Sequence, residues 1–553
     1  MNQVERLPES SDLLRRLDHL NRIGAALSKE TDLTKLLEAI LLAAKEITNA
    51  DGGTLYRMAA EDRALKFEIM RNDTLGIAMG GTSGVSIPFY PVNLYDKDGQ
   101  PILSMVAAYA YHHDRSVNIA DAYTEEGFDF SGTKNFDKKT GYRSKSFLTV
   151  PMKNHENEVI GVLQLLNAKD RHTGEVVAFS SEDQQLAESL ASQAAIALTN
   201  RLLISHLENL FESFINLINA AIDDKSPYTG GHCERVPVLT MLLADAVNGA
   251  KVGPLRDFRM TDKDRYELKI AGLLHDCGKV TTPVHVVDKS TKLETIFDRV
   301  HLVDTRFEVV KRDAEIAALR AQVEALARGD TAAAAQALAG LPERLRETEE
   351  DRSFLRRANV GGEAMKDADV ARVQAIAKKY PWRDVDGRAV DFLTADELAN
   401  LTIRRGTLTP EERQIINHHI DVTIEMLEAL PWPKHLKNVP EYAGGHHERM
   451  DGKGYPRGLT REQMSVQARC MGIADIFEAL TAKDRPYKPG KTLSESLAIL
   501  GRFKLEGHVD PDLFDIFMWD KVYLKYARQF LDPVQIDEVD TARIPGYVAP
   551  PAA

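Results

Sequence analysis

Leu268-Lys269-Ile270-Ala271-Gly272-Leu273-Leu274-His275-Asp276-Cys277-Gly278-Lys279 passes from an apolar helical pattern into a string of chemically capable side chains. A histidine beside an aspartate at a helix end offers a nitrogen ligand and a carboxylate able to bridge neighbouring cations. Gly278 lets the chain turn, and Lys279 leaves a cation facing any bound anion. Taken alone, His-Asp is equally an ordinary buried or capping pair, so its weight depends on the rest of the chain.

The rest supplies partners. His446-His447-Glu448 precedes Asp451-Gly452-Lys453-Gly454-Tyr455-Pro456, and consecutive histidines before a Gly-rich loop suit a metal edge open to ligand. Asp475 lies inside the apolar run Met471–Phe477, where a carboxylate is costly unless paired or coordinated. His419, in Asn417-His418-His419, opens a helical pattern that continues to Leu430, and His232 sits in His232-x-x-Arg235. Five of the 16 histidines thus fall in one ordered set of strings. Nitrogen and carboxylate ligands without thiolate suit Fe, Mn or Zn at a reactive site better than a structural Cys-type zinc site.

These strings resemble the HD-GYP family, a subset of the HD phosphohydrolase superfamily, over roughly 226–295 and 405–532. The matching motifs are H-D-x-G-K at 275–279, H-H-E at 446–448, D-G-x-G-Y-P at 451–456, I-A-D at 473–475 and R-P-Y-K at 485–488. The resemblance implies an all-helical domain that binds two or three metal ions and hydrolyses cyclic dinucleotides, chiefly cyclic di-GMP to pGpG and/or GMP. Carried over by position, His275 and Asp276 are metal ligands, with Asp276 bridging. His419, His446 and His447 hold a second metal, and Asp475 and His232 complete the first. Asp276 and Lys279 are the expected catalytic residues, and Lys279, Arg485 and Lys488 are expected to contact phosphate. His419 is preferred to His418 because the family places Gly or Thr four residues after the ligand, here Thr423. Some members carry a Glu four residues before the position of His232. Tyr228 stands there, so two divalent ions, Fe or Mn, are expected. The segment Thr481–Arg485 is one residue longer than the usual form. The usual short link after the H-D-x-G-K helix is split between Lys289–Leu293 and Arg405–Thr409, leaving the segment between as a candidate to cover or reshape the cleft.

Residues 30–200 resemble a GAF domain through Gly141–Met152 and Val159–Asn167. Asn167, Lys169, Phe179 and Asp183 are similar to a cyclic-nucleotide-binding GAF motif, stretched by Ala168. GAF domains bind varied small ligands or serve as dimerisation units. His112-His113-Asp114 imitates a metal string without a partner motif and is read as a packing or surface feature.

The expected fold is multidomain, with an α+β GAF domain, a long connecting helix and an all-α HD-GYP domain bearing a helical insertion. The parts are an N-terminal helix (1–29), the GAF domain (30–200), the connecting helix (201–225), the HD-GYP domain (226–532, insertion about 296–404) and a tail (533–553). Residues 12–49 have helical periodicity, and a long helix is predicted from Glu182 to about Asp223. Its Leu203, Leu207, Leu210, Phe214, Leu217 and Ala221 recur at heptad spacing, the seam of a parallel homodimer. Within the insertion, 314–345 reads as a helical hairpin turning at Gly329–Asp330, and Pro545–Ala553 reads as disordered. The 553 residues suffice for two or three domains, and 83 acidic against 70 basic side chains give a net charge of -13. That balance opposes a broad nucleic-acid face. Three scattered cysteines oppose a disulfide framework, and no stretch is apolar enough to span a bilayer, so a cytoplasmic setting is expected. The leading reading is a cyclic di-GMP phosphodiesterase with a small-molecule sensor. Hydrolysis of 3′,3′-cyclic GMP-AMP and a non-catalytic cyclic-dinucleotide-binding module are the alternatives.

Overall fold

The computed structural model describes residues 7–59, 63–225, 231–362, 364–483 and 490–550. The chain forms two units, Met1–Leu210 and Phe211–Ala553.

The periodic stretch at the start of the first unit is two helices, Leu7–Leu27 and Leu33–Thr48, rather than one run over 12–49. Asp32 makes the break by accepting from the Lys35 amide as an N-cap, which satisfies an end donor that an uninterrupted helix would not leave open. An antiparallel sheet follows. Its central strands, Ala50–Ala59 and Val159–Lys169, pair with each other and are flanked by Ala64–Asn72 and Phe147–Lys153. Strand Val159–Lys169 reads as nearly continuously apolar because both its faces are covered. Leu163 and Leu165 meet helix Leu33–Thr48 and the first turns of helix Ser181–Lys225. Val162 faces Ala107 and Ala108 of helix Val106–His113.

Helix Ser181–Lys225 is 45 residues long. Leu186, Leu190 and Ala194 are buried in the first unit's core, and Ile215 and Ile222 in a core of the second. The heptad residues are not consumed by either: Leu207, Leu210, Phe214 and Leu217 are 61–64% exposed.

The second unit is helical around two adjoining cores. One gathers helix His232–Asn248 with Val466–Thr481, Leu493–Leu505, Pro511–Trp519 and Val522–Phe530. The other gathers Asp262–Leu274 and Val439–Gly444 with the end of the long helix. The insertion differs from the sequence reading in three ways. The hairpin turn at Gly329–Asp330 is present, but its first arm is the longer helix Val300–Ala327 and its return arm breaks at Gly340 into Thr331–Ala339 and Leu341–Asn359. A small antiparallel ribbon, Trp382–Arg383 with Ala389–Val390, joins the helices. The segment also has its own core, in which Phe307, Tyr380 and Phe392 pack ring to ring.

The tail is a further correction. Instead of ending at 532, the domain continues through residues folded onto its last helices. Gln535 Nε2 donates to the carbonyls of Thr481 and Lys491, Ile544 is buried, and Trp519 Nε1 donates to the Val548 carbonyl at 2.7 Å. The sequence of this stretch is Pro- and Ala-rich but places an apolar residue where the core has room for it. Replacing Ile544 by Ala is therefore expected to cost about 2–4 kcal/mol, measured as a lower urea midpoint of the second unit; an unpacked tail would give no shift.

Candidate metal centre

The strings separated along the chain meet at one buried point. His275 is the C-cap of helix Asp262–Leu274, and Asp276 stands between that helix and the 3-10 turn Cys277–Thr281. His232 opens helix His232–Asn248, and His419 opens His419–Glu428. His446 and His447 follow helix Val439–Gly444, and Asp475 lies within Val466–Thr481.

Asp276 is the hub. Its Oδ2 is 3.2 Å from His232 Nε2 and 3.3 Å from His275 Nε2, while its Oδ1 is 3.2 Å from His419 Nε2 and 4.0 Å from His446 Nε2. His447 Nε2 is 3.3 Å from His419 Nε2, and Asp475 Oδ1 is 3.2 Å from His232 Nε2. Two ligand groups emerge that share Asp276: Asp276, His419, His446 and His447; and His232, His275 and Asp276. His418, the rejected neighbour, is exposed and pairs with Asp421.

A repeated local device aims the rings. The Nδ1 of His275, His419 and His446 each faces the carbonyl three residues earlier, on Gly272, Ile416 and Ala443. Carbonyls at helix ends lack helical partners, so each ring satisfies one by donating from Nδ1, which leaves the Nε2 lone pair pointing into the cluster. His232 is oriented differently, by Glu478 at 2.5 Å from Nδ1. These partners bring the Nε2 atoms of His232 and His275 within 3.4 Å of each other. Asp276 Oδ1 and His446 Nε2 are buried without a hydrogen-bond partner. Orphaned buried acceptors amid clustered nitrogen and carboxylate donors are the environment a cation relieves, so the residues fit a metal ion.

The electrostatics agree with that fit. Burial would raise the Asp276 carboxyl, but Lys279 and the surrounding histidines outweigh it and hold the group well below the usual carboxylate range. Burial, with His447 and His275 nearby, keeps His446 well below the usual imidazole range, and burial pushes His447 down to about 4. Both are therefore neutral, as a nitrogen ligand must be. For His232 burial acts downward too, but Glu478, Asp276 and Asp475 prevail and raise it well above the usual value. A proton on this ring stands where a cation would bind. Lys279 Nζ lies 2.6 Å from Asp276 Oδ2, inside the cluster rather than free at its rim.

Beside the cluster a cleft of about 560 Å³ is lined by His446, His447 and Asp475 together with Arg449, Lys453 and His508. Tyr455 stacks on His447, with centroids 4.9 Å apart and planes 20° from parallel. Among the described residues lining the cleft, none belongs to the insertion, so the segment expected as its cover does not line it. Arg485, Lys488 and Tyr228 lie outside the described residues.

Three residues were missed or misread in the sequence. Glu478 is fully buried, accepts from Arg235 at 2.7 Å and holds His232; the signal available was its i,i+3 spacing from Asp475 on an apolar helix. Gly278 does not serve a left-handed turn. A Cβ there would stand 2.0 Å from the His419 carbonyl and 2.7 Å from Thr423 Oγ1, so glycine permits a close approach of two backbones. Thr423 Oγ1 accepts from the Gly278 amide at 2.9 Å, which explains why a small or hydroxyl residue follows His419 by four. Glu448, also buried, accepts from the Arg457 and Leu459 amides and shapes the loop after the histidines.

The GAF-half strings have packing, hydrogen-bond and ion-pair partners within that half. His112 Nε2 bonds to the Leu94 carbonyl and His113 stacks on Tyr109. Asn167 accepts from the Lys145 and Ser146 amides, Lys169 pairs with buried Asp51, Phe179 lies in the core, and Asp183 pairs with Arg16.

Two outcomes test this geometry. Glu478→Gln is expected to lower metal affinity by about 10–100-fold, read by titration against a chromophoric chelator, with the helix content intact. His446→Ala is expected to lose bound metal by elemental analysis, whereas His418→Ala retains it; equal losses would contradict the placement of His418.

A family model described as a GAF domain matches residues 32–198, and two described as HD domains match 229–370 and 394–513. A 3′3′-cGAMP-specific phosphodiesterase of Vibrio cholerae is 24% identical over 303 residues, covering 55% of this chain and 37% of that protein. A cyclic di-GMP phosphodiesterase of Pseudomonas aeruginosa is 44% identical over 113 residues, covering 20% of this chain and 26% of that protein. One from Thermotoga maritima is 38% identical over 96 residues, covering 17% and 26%. The chain thus spans at most 37% of the length of these relatives. Among the described residues no helix is long and apolar enough to cross a membrane. With a GAF match in the sheet-bearing unit and two HD matches in the helical unit, the first running on into the insertion and the second beginning near its end, the chain carries a GAF domain followed by a helical HD domain, with the signature strings of the HD-GYP type.

Proposed function

We propose that this chain is a metal-dependent phosphodiesterase that opens a cyclic dinucleotide, cyclic di-GMP first among them, to pGpG and/or GMP under control of its GAF domain. The observation that carries the reading is Asp276, whose two oxygens face separate groups of imidazole nitrogens. Two divalent ions, Fe or Mn, suit such a ligand set. His232, His275, Asp276 and Asp475 would hold one; Asp276, His419, His446 and His447 the other. Ions bound there supply a water of lowered pKa and a clamp for phosphoryl oxygens.

The chain's own groups do the remaining work. Lys279 beside Asp276 offsets negative charge that builds on the phosphate. Arg449 and Lys453 bring cations to the cleft, and Tyr455, fixed against His447, offers a ring face to a base. The cleft volume falls within the range of about 300–1,000 Å³ usual for small-molecule sites. A second reading, 3′,3′-cyclic GMP-AMP as substrate, is favoured by the relative that aligns over 303 residues, which bears that specificity in its name. The three free cysteines are all buried, in keeping with a reducing cytoplasm. The GAF domain would take a small ligand, and the exposed heptad seam of helix Ser181–Lys225 suits a parallel homodimer.

The reading is tested by incubating Mn- or Fe-loaded protein with each cyclic dinucleotide and resolving the products by anion exchange. Linear pGpG or GMP from cyclic di-GMP, lost in Asp276→Ala, is expected. Preferential turnover of the mixed GMP-AMP ring would replace the substrate, and binding without turnover despite bound metal would leave only a signalling module. For the dimer, the double change Leu210→Glu and Leu217→Glu is expected to convert a dimer to a monomer in sedimentation velocity; a wild-type monomer at micromolar concentration would remove that part of the reading.

A further inference from the structure

The insertion contains a cavity of about 400 Å³ lined, among the described residues, by four cations, Lys292, Arg357, Arg372 and Arg404, with Phe354 and one carboxylate, Asp369. It shares no lining residue with the cleft beside the metal cluster. Lys292 is 3% exposed. Its ammonium reaches the Leu401 carbonyl at 3.2 Å and the Met365 sulfur at 3.3 Å, and neither carries charge.

Lys289, three residues earlier and also buried, provides the contrast. Its ammonium is held by both oxygens of Glu412, at 2.7 and 2.8 Å, and by Asn400. Lys292 has the same burial without the counter-charge, and burial pushes its ammonium pKa downward with no carboxylate pulling it back. The plainer account is that Lys292 caps the C-terminus of helix Ala395–Leu401. That account uses one of three donors, and a thioether is a weak acceptor for a second.

The guanidinium groups around it are placed to receive an anion. Arg357 is exposed and has no carboxylate partner among the described residues. Arg372 is steadied by Asp351 at 3.1 Å and by the Phe354 ring 4.3 Å below its guanidinium carbon. Arg404 pairs with Asp367 at 2.6 Å, but both side chains are largely exposed, so water screens the pair and an incoming anion competes with it. Planar guanidinium forks match phosphate oxygens in pairs, and a buried ammonium gains most from a group of multiple charge.

We propose that this cavity is a binding site for a small phosphate-bearing molecule, separate from the metal centre, with Lys292 at its floor and Arg357 and Arg404 at its mouth. The test uses the full chain carrying His446→Ala and stripped with chelator, so that the metal centre cannot respond. Inorganic pyrophosphate and inorganic phosphate are titrated by calorimetry, with succinate as a carboxylate control. One saturable site for pyrophosphate is expected, weakened by about tenfold or more in Arg357→Ala and lost in Lys292→Met, with unchanged circular dichroism in both. Arg357 is exposed, so its variant reports on binding even where Lys292→Met alters folding. No saturable binding at millimolar pyrophosphate, equal affinity for succinate, or Arg357→Glu binding as tightly as the parent would each overturn the proposal.

Discussion

One carboxylate, that of Asp276, is approached from two sides by imidazoles from different parts of the sequence. His232, His275, His419 and His446 come from separate helix ends, and their ring nitrogens converge within a few ångströms of its oxygens. A charge buried at this depth is tolerated only where compensating groups surround it. The packing of the second unit follows from that requirement. The contact of Gly278 with the His419 backbone, the Thr423 hydroxyl on the Gly278 amide and the Glu478 carboxylate behind His232 all bring ligand-bearing segments to the same point.

The site was largely legible because metal chemistry restricts residue type. A histidine or aspartate in an apolar context stands out from its neighbours, and seven of the residues singled out in the sequence do converge: His232, His275, Asp276, His419, His446, His447 and Asp475. Supporting groups were less visible. Glu478 is one acidic residue in a helix that also carries Asp475, and only its partner, 246 positions away, reveals its role. Gly278 could be recognised as a required glycine but not for its reason, since a steric limit set by His419 is not written near residue 278.

The fold was legible where periodicity is strong and less so where a few residues decide. The long helix stood out through an uninterrupted apolar repeat. The break before Leu33 depends on one capping aspartate, and the break at Gly340 on one glycine. The stretch from Pro545 misled because its composition is that of disorder, while the order of its described residues, 545–550, comes from Tyr547 packed on the core and from the bonds of Trp519 and Lys504 to the carbonyls of Val548 and Gly546. Such long-range pairings leave no local pattern.

The inserted segment begins and ends at a neck. Thr407 Oγ1 donates to the Lys289 carbonyl at 2.9 Å across 118 positions, and backbone bridges join Thr291 to Val360 and Gly362 to Gly406. The apolar side chains beyond it, from Leu293 to Leu401, close on one another. The entropy of closing a loop rises only with the logarithm of its length. Once the neck is formed, added or removed residues beyond it change the free energy of the helical bundle little. The neck is thus a point where a change of chain length beyond it leaves the ligand-bearing helices in place.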